Sequence, residues 1–260
     1  MSAPSLGVQV GQIARRSVLR TLRQPAQIVP ALAFPLFLLA LNTPGLERAV
    51  SLPGFPTDSY LTFALAVTFV QGALFAIINS GTDLANDIET GFLNRLALTP
   101  LRGVALIGGL LAGTVVLGVI QAIAFLLVGL AAGASFATGL PGALAIALLS
   151  LLTVIGFGTL GIVAALRTGS GEAVQGLFPV AFVLLFMSSG SLPRDLIERD
   201  WFATVATYNP VSYLIEGVRS LLIDGWDARA LALGFGVAVG LIVLGLALSS
   251  AALRTRLVRT

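Results

Sequence analysis

The chain has 260 residues, of which 57% are hydrophobic and 10% charged, with a net charge of +3 and a mean hydropathy of +0.98. Soluble domains carry about a quarter charged residues, so a water-soluble globular fold is excluded and lipid is the solvent. Cys, His and Lys are absent, which excludes disulfides, thiolate or imidazole metal sites, Ser–His or Ser–Lys catalysis and a Walker A loop within these residues.

Backbone polar groups in lipid must be satisfied internally, and long apolar runs without dyad alternation select helices over a closed barrel. The expected fold is an all-α integral membrane protein. Residues 1–24 come first. At about 100° per residue, Gln9, Gln12, Arg15, Arg16, Arg20 and Arg23 share one arc, and Leu6, Val10, Ile13, Ala14, Val18 and Leu22 the opposite one. That split predicts an amphipathic interfacial helix with its arginines toward anionic lipid; a simple positive flank is the alternative.

Six spans follow, over residues 25–41, 60–81, 104–133, 140–166, 173–192 and 230–253. The first carries Pro25, Pro30 and Pro35 and could act as a signal-peptide core, but "LALNTPG" after it has no small-x-small cleavage pattern. All fifteen basic residues are Arg. With residues 1–24 inside, ten fall on the cytoplasmic side and five outside, which predicts both termini in the cytoplasm. The arginines sit at membrane edges and build no basic face, so no nucleic-acid partner is expected.

Polar groups within the spans are few: Gln71, Asn79 and Gln121, with Gln175 near an end. An ionised group at a bilayer centre costs at least about 2.5 kcal/mol and marks ion-coupled pumps and relays. None is predicted there, which argues against an ion-coupled transporter, and neither an intramembrane aspartyl protease nor a Ser–His dyad can be built. Catalytic residues and metal ligands are therefore not assigned. Gln71 and Gln121, with Phe and Leu faces, are candidates for lining a substrate path; the competing reading is interhelical hydrogen bonding. Gly109/Gly113, Gly129/Gly133 and Gly236/Gly240 have the spacing that lets helix backbones approach.

Two charged segments interrupt the apolar pattern. Residues 84–103 read "LANDIETGFLNRLALTPLRG". Gly91 divides the stretch and Thr99–Pro100 stops it, predicting a brief helix across the cytoplasmic face. Phe92, Leu93, Leu96 and Leu98 mixed with charge suggest a docking surface rather than a solvated turn. Residues 193–228 are too long for a turn. Asn209–Pro210 has the pattern of an N-cap followed by Pro at the first helical position, and Asp224–Gly225 can stop that helix. Trp201, Tyr208, Tyr213 and Trp226 favour the interface. Two short helices on the outer side are expected, in or dipping into the outer leaflet.

"DIETGFLNRLALTPLRG" resembles the cytoplasmic loop of ABC type-2 transporter permeases, and "YNPVSYLIEGVRSLL" their Asn-Pro segment before the last span. "TLRQPAQIVPALAFPLFLLA" looks like the beginning of their first span. The resemblance covers nearly the whole chain in order, and the drug-export, daunorubicin-resistance-like branch looks closest; Asn94 and Ala97 stand where charge is frequent in the family. The resemblance implies one permease domain over 1–260 in the bacterial cytoplasmic membrane, exporting a small hydrophobic or amphipathic compound. It also implies a second permease copy or sister chain, surrounding lipid, and two copies of an ABC ATP-binding subunit. ATP and Mg would lie on that subunit, with no cofactor in this chain. Residues 84–100 become a coupling loop, carried by Asp87, Glu89, Gly91, Phe92, Leu93, Arg95, Leu96, Thr99 and Pro100. Asn209, Pro210, Tyr213, Glu216 and Arg219 become the outer-helix motif. Export of a lipid-linked glycan, or a non-transporting assembly role, are the alternatives.

Overall fold

The computed structural model describes residues 5–97 and 103–258. Thr99 and Pro100 of the expected coupling loop lie outside the described residues. Eleven α-helices follow in order among those described. They are α1 Leu6–Leu22, α2 Pro25–Leu46, α3 Tyr60–Glu89, α4 Phe92–Ala97, α5 Gly103–Ala131, α6 Gly139–Thr168, α7 Gly171–Gln175, α8 Leu177–Phe186, α9 Asp200–Tyr208, α10 Pro210–Leu222 and α11 Ala228–Val258. The described residues contain no strand.

Five helices are long and apolar enough to cross a bilayer: α3, α5, α6, α11 and the run Pro25–Ser51 built on α2. The expected fifth span differs. Over 173–192 the structure has α7 and α8 in place of one helix, together covering Gly171–Phe186, about 24 Å at 1.5 Å per residue against a hydrocarbon core of about 30 Å. The cause is Pro179. In one continuous helix its ring would clash with the Gln175 carbonyl four residues back, whereas a restart after Gly176 places it in the first turn of α8. The segment still joins both ends of α3, because Gly171 N–H donates to Glu89 Oε1 at 3.3 Å and Tyr60 Oη donates to the Ser191 carbonyl at 3.4 Å.

Helix α3 is the axis of the bundle. It packs on α6, α2, α5, α10, α7 and α8, and Phe63, Leu65, Leu74, Leu84 and Ala85 along it are fully buried. Two apolar clusters share it. One surrounds Phe63, Leu74, Phe125, Ile146, Leu149 and Leu214; the other surrounds Leu84, Ile107, Ile162, Leu166 and Leu253. Both α1 and the last turns of α11 lie at this second end of the bundle, where Arg16 meets Asp87 and Arg256 donates to the Leu166 carbonyl. We call it the α1 end, and the opposite one the α10 end.

The close-packing glycines divide by use. A Cβ at Gly113 would lie 2.6 Å from both the Ser17 and Thr21 hydroxyls, and one at Gly109 2.5 Å from Ile13 Cβ. Only glycine there lets α1 lie on α5. Gly129 receives Leu65 in the same manner, while Gly236 and Gly240 have nothing within 4 Å. The surface that α1 buries is therefore the line Gln9, Ser17 and Thr21, with Ile13 between them, and Leu6 and Leu22 from its apolar arc stay exposed.

Candidate functional site

At the α1 end, two acids one turn apart on α3, Asp83 and Asp87, face two arginines one turn apart on α1, Arg16 and Arg20. The Arg16 guanidinium forms a bidentate pair with Asp87, Nη1 to Oδ2 at 2.7 Å and Nη2 to Oδ1 at 2.6 Å. Arg20 bridges both acids, Nε to Asp83 Oδ1 at 3.0 Å and Nη1 to Asp87 Oδ1 at 3.1 Å. Gln27 of α2 adds a donor to Asp83 Oδ1 at 2.9 Å. The hydrogen bonds that Arg16 donates to Asp87 raise its pKa, against burial, which lowers it.

The expectation that α1 turns its arginines to lipid is corrected for these two. Both acids are largely buried, the Asp87 side chain being 6% exposed, and a buried carboxylate needs a fixed cation more than a lipid-facing arginine needs a headgroup. Arg15 and Arg23 remain exposed. The pairing had a visible sequence signal, two acids and two arginines each at i, i+4 spacing, but nothing local says that helices 63–71 residues apart meet.

The same cluster reaches α4. Helix α3 ends at Glu89, and Gly91 turns the chain with φ +69°, a conformation other residues resist. Asp87 and Glu89 thus belong to the end of α3, and α4 holds Phe92, Leu93, Arg95 and Leu96. The Arg16 guanidinium lies 4.0 Å from the Phe92 ring centroid. Leu93 is 3% exposed and Leu96 packs beside it on Leu84, Ile88, Leu106 and Ile107, so the apolar side of α4 seats it on its own bundle. Arg95 is exposed.

At the α10 end, Asn209, Tyr213, Glu216 and Arg219 of the Asn-Pro segment each hold a neighbour. Asn209 caps α10, its Oδ1 accepting from Val211 N–H at 2.9 Å, while Nδ2 donates to the carbonyls of Leu184 at 2.6 Å and Met187 at 3.1 Å. Pro210 occupies the first helical position. Tyr213 Oη donates to the Thr207 carbonyl at 2.7 Å. Glu216 accepts from Ser189 Oγ at 2.7 Å and from Arg194 Nε and Nη2 at 2.7 and 2.9 Å. Arg219 donates to the Ser189 and Gly190 carbonyls at 3.0 Å each and lies 3.6 Å over the Phe63 ring. Burial lowers its pKa to about 10, so it stays charged. Within the bundle α10 packs as core, since Leu214, Ile215, Leu221 and Leu222 are fully buried. Beside it, Arg194, Glu216, Arg219, Asp224, Asp227 and Arg229 line an open cavity of about 880 Å³.

The two glutamines separate. Gln121 ties α5 to α2 and α3, its Nε2 donating to the Ala31 and Gly72 carbonyls at 3.2 and 2.9 Å. Gln71 is 5% exposed and lines a cavity of about 130 Å³ between α2, α3 and α8. Among the described residues no group of three or more His, Cys, Asp or Glu could hold a metal ion.

A family model described as ABC-2 type transporter matches residues 8–223. The chain is 28% identical over 211 residues to "Putative transport permease ycf38" of Cyanophora paradoxa, covering 80% of this chain and 72% of that protein. It is 29% identical over 214 residues to the Porphyra purpurea protein of that name, 81% and 72% covered. For that of Pyropia yezoensis the identity is 28% over 220 residues, 84% and 75% covered.

Proposed function

We propose that this chain, which belongs to the ABC-2 type transporter family, is the membrane half of an ATP-driven exporter of hydrophobic or amphipathic compounds. It is a multi-pass membrane permease, not an enzyme, and permeases of this family generally pair with ABC ATPase subunits. Its 260 residues have no lysine for a Walker A loop, so the driving force comes from such a subunit. The α1 end faces the cytoplasm in this reading, which the ten-to-five arginine split supports, and drug export is the narrower form of the reading.

One observation carries the coupling role: Arg16 joins Asp87 of α3 and the Phe92 ring of α4 at once. A push on α4 from outside the membrane is therefore passed both to the central helix and to α1. Transmission needs a rigid seat, and Leu93 and Leu96 supply it on the bundle's own apolar cluster. Co-expression with an ABC ATP-binding subunit from the same genome tests this. Wild-type permease retains the ATPase through purification and supports substrate efflux, and Arg16→Ala loses efflux at matched membrane levels. Full efflux and full ATPase recovery from Arg16→Ala together with Leu93→Ser would end the coupling reading.

A further inference from the structure

Glutamine side chains inside a membrane bundle are expected to find a partner, because a buried amide without one keeps its full desolvation penalty. Gln121 meets that expectation only through its Nε2, which donates to two carbonyls, while its Oε1 is buried without a partner. Among the described residues the Gln71 amide has no partner at all, although it is 5% exposed. It borders the 130 Å³ cavity, whose walls are Leu38, Leu39, Ala64, Val67, Leu185 and Phe186. Asn42, Tyr60, Thr68 and Ser191 supply the remaining polar groups. Asn42 and Phe186, both exposed, form its rim.

We infer that this cavity is a binding site for an uncharged amphipathic molecule, with an apolar body about the size of an aromatic ring and one hydroxyl or carbonyl group held by Gln71. Size sets the body, since an apolar cavity of roughly 150 Å³ takes up benzene. Charge sets the class. Among the described residues no Asp, Glu or Arg lines the cavity, and an ion brought there without a counter-ion would carry a large desolvation cost. Gln71 sets the polar group, because its amide can both donate and accept. The neutral lining contrasts with the charged 880 Å³ cavity beside α10, so the two do not select the same molecules. That the occupant is cargo rests on the export reading above; binding itself requires neither ATPase nor transport.

The test uses the full chain alone in lipid nanodiscs, with para-azidobenzyl alcohol as a neutral photoprobe. Para-azidobenzylamine and para-azidobenzoate serve as its charged counterparts. Mass-spectrometric mapping is expected to place the neutral label on peptides containing residues 38–42, 64–71 and 185–191, with the charged probes labelling these at least fivefold less. Gln71→Leu should lower that labelling about fivefold, which corresponds to about 1 kcal/mol. Val67→Phe keeps the amide, fills the space, and should lower it as much. Both variants are compared as monodisperse preparations, so loss of folding is separable from loss of the site. Even labelling of all lipid-facing helices, or labelling unchanged in either variant, overturns the site. Site labelling in a permease that never retains an ATPase would instead overturn the export reading and leave the site standing.

Discussion

At the α1 end, Arg16 and Arg20 reach two carboxylates on α3; at the α10 end, Arg219 reaches two carbonyls and the face of Phe63. The first arrangement joins a helix outside the spans to the central helix through opposite charges, and Arg16 is still 41% exposed. The second locks a turn onto the core, with the arginine 6% exposed and its neighbouring carboxylate, Glu216, engaged by Arg194. Arg16 keeps contact with water, but parting it from Asp87 would leave a largely buried carboxylate short of a cation, so α1 and α3 stay joined. A fully buried guanidinium held by backbone cannot leave without stranding both it and the carbonyls. The α1 end is thus built to move as a linked unit, and the α10 end to stay fixed.

Substitution at Arg219 should give the largest effect. Arg219→Ala strands the Ser189 and Gly190 carbonyls and leaves a hole against Phe63, for a loss of about 3–5 kcal/mol. The expected result is a fall of about 10 °C in the detergent unfolding midpoint. A fall of under 2 °C would place the α10 end among the mobile parts and dissolve the contrast.

Asp83→Asn with Asp87→Asn comes next. It removes both acceptor charges and leaves Arg16 and Arg20 free to hydrate, so stability drops by only about 1–2 kcal/mol. Efflux with the partner ATPase should drop at least tenfold while the protein still inserts. A smaller loss of efflux than of stability would contradict a mechanical role for the cluster.

Asn209→Leu removes a cap and two further hydrogen bonds, about 2 kcal/mol together, whereas Pro210→Ala should shift the midpoint by under 2 °C, because Pro at the first helical position is replaceable. Equal effects would show that the proline, not the amide, holds α10.

The smallest expected effect concerns Asp224, which is exposed but partly desolvated, so that its pKa is raised from 3.8, with Asp227 adding to the rise and Arg219 opposing it. The native state then binds the proton more tightly than the unfolded chain, so this group's destabilising contribution is absent below pH 3.8 and complete once pH exceeds the raised native value. Asp224→Asn should be slightly stabilising at neutral pH and indistinguishable from wild type in acid. Stabilisation that persists in acid would assign the effect to packing.

What the residues alone determine here is local. Apolar runs of 20 or more residues dictate helices in lipid, and Gly91 and Asn209–Pro210 carry their own turn and cap chemistry, so the breaks before α4 and α10 are legible. The two arcs of α1 are not a guide to its buried face, which is the line Gln9, Ser17 and Thr21. The division of the fifth span was also written locally, in Pro179, but the apolar composition around it concealed the signal. What only the tertiary structure decides is which surface each face meets. The Arg16–Asp87 pair, the seating of Leu93 inside the bundle, and the fates of Gln121 and Gln71 depend on helices distant in sequence. A helical period of 3.6 residues says that a face exists. It carries no information on what covers that face, because the covering element is chosen by packing, where glycines such as Gly113 admit one neighbour and bulkier residues refuse it.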